Sequence, residues 1–363
     1  MGKRGDSLQA MKRHLLALGF LLVLTLACYG SMLNDGWYHS DDLRFFSWAQ
    51  SASWSDLFHR SHSGYIRPIL NALWLLPLSL GLRDPVWYHL LSLVLFYGVV
   101  CAVYSLIWRM TGRFLPALIG TFLFCLHPAH RSATTWIATS LADLPSTLLL
   151  VICFLGFLAE SHIVGLIFFA LALSAKQSVV VLPILMLAWI VLEGQTSRWK
   201  KLLPYFALAL VYAVIQTFWL RESAYAAVRL INWKPVTDPV GLFQAWVSGW
   251  GGLVFPLAVP RHTLAPPFPL VPREALFPIG LAVLPLVAYL ALRYPKTRFG
   301  LFWIALTFLP AIPLGRGYVL GRHYLVPDIG LALVVSSLIA GRKLAAGGNN
   351  AAPTDPHDTI GRD

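Results

Sequence analysis

Apolar residues in this chain fall in long unbroken runs. They show neither the alternation of a half-buried strand nor the three-four spacing of an amphipathic surface helix. The runs cover about 13–33, 85–108, 114–128, 144–160, 163–176, 177–193, 202–220, 277–293, 299–314 and 324–340. A run near twenty residues at 1.5 Å per residue matches the ~30 Å hydrocarbon core of a bilayer. Continuous runs exclude a transmembrane β-barrel, whose strands alternate. The pattern predicts an all-α polytopic membrane protein of about 10–11 transmembrane helices. Two further segments are less regular. Segment 68–82 is short and opens at Pro68, and 241–258 carries four glycines and two tryptophans.

Composition agrees, with 57% of 363 residues hydrophobic and only 12% charged. The net charge of +12 does not point to nucleic acid, because the basic residues sit in short clusters between apolar runs. Such clusters mark cytoplasmic loops: Lys3/Arg4/Lys12/Arg13, Arg109/Arg113, Arg198/Lys200/Lys201, Arg293/Lys296/Arg298 and Arg342/Lys343. Three apolar segments separate the clusters at 198–201 and 293–298, and an odd number cannot return the chain to one side. Segment 241–258 is therefore read as re-entrant or interfacial. By the same parity, 68–82 lies along the outer interface or stacks on 85–108 as one broken helix. The expectation is one membrane domain, residues 1–340, with about ten full spans and both termini cytoplasmic. A first outer loop of about 34–67 carries interfacial helices, and 341–363 forms a disordered cytoplasmic tail. The first helix is retained, since "ACYGSML" offers no clean signal cleavage site. Cys28, Cys101, Cys125 and Cys153 all lie in apolar runs and read as small buried hydrophobes. No internal repeat is evident.

This topology gathers polar residues from distant loops on the outer face. "YHSDDLRFFSW" places Asp41 and Asp42 just beyond the first run. Either acid can cap an interfacial helix. An outward carboxylate there can equally take a proton from an acceptor hydroxyl or amine. Adjacent helix positions diverge by about 100°, so the two acids cannot share one task. Asp41 is taken as the base, pointing towards Arg67 and Lys176, with Asp42 paired locally. Arg67 and Lys176 lie at the bilayer edge, where they can snorkel or grip a lipid phosphate. Arg316, Arg322 and His323 add positive charge, and His59 and His62 lie in the first loop. In "HPAHR", His127 and His130 share a helix side, with Asp143 as the conceivable third ligand of a divalent metal. No recognised zinc spacing, phosphate loop, hydrolase triad or nucleotide fingerprint is present.

The layout resembles that of GT-C glycosyltransferases, polytopic enzymes fed by polyprenyl-phosphate sugars. "SDDLRFF" is similar to an element of the lipid A aminoarabinose transferases and to the Asp-Glu pair of protein O-mannosyltransferases. "YIRPIL", "HPAH", "AKQ" and "GRHYLVPDIGLAL" look more like the membrane half of tetratricopeptide-linked O-mannosyltransferases. The tetratricopeptide repeats themselves are absent, and Gln177 stands where those enzymes have Glu. The resemblance implies a bacterial inner-membrane enzyme that inverts the anomeric centre in one displacement: sugar moves from the lipid phosphate to an acceptor on the periplasmic, outer face. Asp41 matches the catalytic acid and Asp42 its neighbour. Arg67, His127, His130, Asp143, Lys176, Arg322, His323 and Tyr324 match or flank positions for donor phosphate and sugar. No cofactor is required beyond the lipid-linked donor, and a divalent metal stays open. Partners are that donor, membrane lipids and an acceptor glycan, lipid or protein. The alternatives are a lipid-linked-sugar flippase or transporter, and a non-catalytic assembly factor. Transporters tend to bury ionisable groups at mid-membrane, whereas Asp143, Glu160, Glu193 and Asp328 flank the runs here.

Overall fold

In hydrocarbon every backbone polar group needs an internal partner, which helices supply locally. The computed structural model describes residues 2–37, 40–58, 65–221, 238–254, 273–310 and 321–346. These residues form fourteen α-helices. In chain order the first seven are α1 (Gly2–Tyr29), α2 (Ser40–Ser51), α3 (Pro68–Ser79), α4 (Pro85–Thr111), α5 (Phe114–Leu126), α6 (His130–Thr135) and α7 (Ile137–Leu158). The rest are α8 (His162–Ala175), α9 (Leu182–Leu192), α10 (Leu203–Arg221), α11 (Pro239–Val254), α12 (Leu276–Arg293), α13 (Arg298–Phe308) and α14 (Leu325–Ala346).

Among the described residues five helical segments are long and apolar enough to cross a membrane: Leu8–Asn34, Pro85–Thr111, Ile137–Leu158, Thr196–Phe218 and Leu276–Arg293. The chain is an integral membrane protein of all-helical architecture. Local signals explain several helix ends. Asp84 caps α4 by accepting from the Val86 amide at 2.9 Å, Pro85 supplies its first residue, and Gly112 closes it at φ 63°.

Some boundaries differ from the run-based reading. The run at 177–193 is broken, because Gln177–Val181 winds as a 3-10 turn before α9. The span expected from 144 begins at Ile137, and the linker before it contains α6. The last helix continues past 340 to Ala346, and residues 347–363 of the expected tail lie outside the described residues. So do His59, His62 and Arg316.

The bundle has two chemically distinct ends. At one, Arg113 Nη1 donates to the Ala340 carbonyl at 2.6 Å, and Arg198 meets Glu160 at 3.0 Å. Arg109, Arg113, Arg198 and Lys296 line a cavity of about 560 Å³ there. Four residues of the basic clusters thus share one end. The opposite end joins the C-termini of α5 and α8 to the starts of α7 and α14. There the Tyr29 hydroxyl donates to the Cys125 carbonyl at 2.8 Å, Lys176 meets Asp143, and His130 meets Asp328.

Buried side chains of α4, α5, α7, α8, α9, α13 and α14 fill the main core, including Phe96, Phe154, Phe169 and Trp303. A second cluster docks α2 and α3 on the starts of α4 and α7. Trp74 is fully buried there and stacks on Phe45, with ring centroids 5.5 Å apart. Segment 68–82 is therefore a helix clamped to the bundle by its aromatic face. Its 12 residues reach only about 18 Å, too short to cross the hydrocarbon.

Lipid offers helices little hydrophobic reason to associate, so close backbone approach and van der Waals contact matter more. The crossing of α13 and α14 depends on this. A Cβ added to Gly330 would lie 2.7 Å from the Gly300 carbonyl oxygen, and one on Gly300 would lie 2.8 Å from that of Gly330. Gly330→Val should therefore lower the thermal unfolding midpoint of the detergent-solubilised protein, by the ~1–3 kcal/mol of overpacking. Gly19→Ala, where a Cβ meets nothing within 4 Å, should leave it unchanged. Equal midpoints for the two variants would refute the packing argument.

Candidate functional site

The two aspartates of the first loop diverge, as adjacent helix positions must. Asp42 is fully buried, and its Oδ1 accepts a 2.7 Å hydrogen bond from the Ala138 amide. The α7 start has no side-chain cap of its own, since Trp136 occupies the N-cap position. Asp42 supplies that cap from the first loop, 96 residues away in sequence. Asp41 is half-exposed on the other side of α2, and among the described residues its one ion pair is with Arg44, at 4.0 Å. The expected approach of Asp41 to Arg67 and Lys176 is thus corrected: Asp41 contacts neither. The reason is geometric, because burying Asp42 against α7 turns its neighbour outward.

The basic residues expected on this face are engaged with one another's surroundings. The buried Arg67 guanidinium donates through Nη2 to Gln177 Oε1 at 2.5 Å and lies 4.8 Å from the centre of the Tyr65 ring. Gln177 therefore does what a glutamate could do there, but as a neutral acceptor. Lys176 ends α8 in extended conformation and pairs with Asp143 Oδ1. The pair takes Asp143 away from the histidines, beside which it was expected as a third ligand. Buried Asp143 demands a counter-charge, and the tight α7–α8 hairpin brings Lys176 to it.

A cavity of about 250 Å³ lies beside this pair, just below the ~300–1,000 Å³ usual for ligand pockets. Asp143, Thr147, Lys176, Gln177, Thr307 and His323 are among its polar lining. Asp143 Oδ2 is buried and without a hydrogen-bond partner among the described residues. Thr147, Gln177 and Thr307 were not predicted. Thr147 lies one helical turn beyond Asp143, a spacing that could have flagged it.

His127, His130 and Asp328 form a separate, wholly buried group. His127 follows the last turn of α5, Pro128 turns the chain, and His130 opens α6. His130 Nε2 lies 3.2 Å from Asp328 Oδ2, and His127 Nε2 lies 4.0 Å from Oδ1. His127 Nε2 is also 3.1 Å from the Leu253 carbonyl oxygen. Burial pushes the His130 imidazole down to about 3. The third acid beside the histidines is therefore Asp328 and not Asp143. In sequence Asp328 stood only as an acid flanking an apolar run.

Within "GRHY", the described side chains His323 and Tyr324 face different surroundings. His323 lines the cavity, whereas Tyr324 is buried beside His127, with ring centroids 6.5 Å apart. The Arg322 side chain lies outside the described residues. No protein-family model matches the chain, and no curated protein matches it in sequence.

Two stability outcomes follow. Asp42→Ala strands the buried Ala138 amide and should cost about 1–3 kcal/mol, whereas exposed Asp41→Ala should stay within ~0.5 kcal/mol. Comparing their unfolding midpoints checks the cap, and equal losses would contradict it. Lys176→Met leaves Asp143 buried and unpaired, at a cost of about 3–5 kcal/mol. Adding Asp143→Leu should recover most of that loss, and a double variant worse than the single would exclude a structural pair.

Proposed function

We propose that this chain is an inverting membrane glycosyltransferase of GT-C type, moving a sugar from a polyprenyl-phosphate donor to an acceptor at the outer face. The observation that carries the reading is the cavity beside Asp143 and Lys176. A buried carboxylate oxygen with no partner among the described residues lines it, next to an ammonium and a histidine. An acceptor oxygen suits a sugar hydroxyl, because only a donor from a ligand relieves its desolvation. The neighbouring Lys176, with Arg67 one residue beyond through Gln177, suits the phosphate to which that sugar is attached.

In this mechanism the acceptor hydroxyl, held between the first loop and the cavity, attacks the anomeric carbon as Asp41, swung inward from its outward position on α2, takes its proton. The glycosyl–oxygen bond to the lipid phosphate breaks, and the phosphate leaves as an anion needing no general acid. Lys176 turns from Asp143 towards that developing charge. About ten spans with both termini cytoplasmic would put this end of the bundle outside. The gathering of Arg109, Arg113, Arg198 and Lys296 at the opposite end supports that orientation. The buried Asp143–Lys176 pair also suits the second reading, a protein that moves a lipid-linked sugar without cleaving it.

Transfer from a short-chain polyprenyl-phosphate sugar, followed by release of the lipid phosphate, separates the two. Asp41→Asn should lower turnover at least about a hundredfold, the scale of a lost general base, with expression unchanged. Wild-type protein that binds the donor but releases no lipid phosphate with any acceptor would favour the mover. If Asp41→Asn is active and Asp143→Asn is dead, the base is in the cavity and not on the first loop.

A further inference from the structure

We propose that His127, His130 and Asp328 form a divalent transition-metal site of the Zn²⁺ class, whose ion bolts the first turn of α14 to the turn between α5 and α6. This site is separate from the sugar cavity and does not depend on the transfer reaction.

The donors are of the right kind and number. Two imidazoles and one carboxylate make a set that Zn²⁺ binds, with a fourth position left for water or another oxygen. A ligand atom from each residue lies within 4.8 Å of the other two. His130 Nε2 and Asp328 Oδ2, 3.2 Å apart, have the spacing expected of two atoms bound to one small ion at about 2.0–2.2 Å from each.

A plain histidine–aspartate hydrogen bond accounts less well for this contact. Neither His130 Nε2 nor Asp328 Oδ2 has a hydrogen-bond partner among the described residues, although they are neighbours. Their separation is short enough but their alignment is wrong, so the two atoms meet as co-ligands would and not as donor and acceptor. Both are buried, and leaving each unpaired would cost on the order of 1–3 kcal/mol or more. An ion between them removes both debts at once. Binding through His127 Nε2 requires its proton on Nδ1 and releases the Leu253 carbonyl, which then faces the site as a further oxygen.

The position gives the ion a task. Asp328 lies one turn beyond Tyr324, and the two histidines flank Pro128 at the end of α5. A shared ion fixes these two chain segments against each other, and thereby the height of His323 at the cavity.

The test uses the tag-free full chain in detergent, stripped with EDTA and titrated with Co²⁺. The expected result is one Co²⁺ per chain, with the intense visible absorption of a four-coordinate centre, displaced by Zn²⁺. Zn²⁺ should also raise the thermal unfolding midpoint of the stripped protein. His130→Ala and Asp328→Asn should each weaken Co²⁺ binding at least tenfold, and Asp41→Asn should not. Wild-type protein that gives no such absorption overturns the proposal without relying on any variant. Absorption that survives in either ligand variant overturns it too, by placing the ion elsewhere. Loss of transfer activity in Asp41→Asn with metal binding intact would keep the two proposals apart.

Discussion

The bond from the Ala138 amide to the Asp42 carboxylate joins the first loop to the bundle. A helix start buried in a membrane protein leaves amide donors that neither water nor lipid can satisfy. Here the cap comes from another helix, so α7 begins properly only when α2 has docked. Much follows from that dependence. The register of α7 fixes Asp143 against Lys176, and the docked α2 presents Phe45 to Trp74 and holds α3 in place. With α3 fixed, Arg67 at its entry reaches Gln177. The polar end of the molecule is thus assembled through one carboxylate.

Class and scaffold were readable in the chain because lipid imposes a coarse rule. Length and apolarity of a run are enough to mark a helix, and basic clusters mark loops. Finer boundaries were not readable where polar and apolar logic compete. The 3-10 turn after Lys176 ends in Val179, Val180 and Val181, which carry the apolar run straight into α9 and hide the break. The beginning of α7 was missed because Thr139, Ser140 and Asp143 look like loop residues, yet all are buried.

The candidate site was legible as a set of residues but not as a set of partnerships. Each of Asp42, Lys176 and His130 was visible as a polar residue placed where it is costly. Which acid serves which base depends on side-chain direction, and that comes from helix rotation. A single 100° step separates buried Asp42, which caps α7, from outward Asp41, which meets Arg44. Asp143 faces Lys176 and Asp328 faces the histidines because α8 returns to α7 while α14 packs on α5. Hairpin neighbours in sequence could suggest the first pairing. Nothing local in the chain could suggest the second, which spans about two hundred residues.

The thin packing of α12 carries a consequence for the protein's surroundings. Only 11% of its apolar window is buried within the protein, and its closest partner is α11. The end of α11 in turn offers the Leu253 carbonyl to His127. With 18 residues, α12 is about 27 Å long, slightly less than a typical hydrocarbon core. Its tilt is therefore set by bilayer thickness as much as by protein contacts. A thicker or thinner membrane shifts α12, then α11, then the groups around His127. Lipid chain length enters this architecture as a structural variable, acting on a buried polar centre through one carbonyl oxygen.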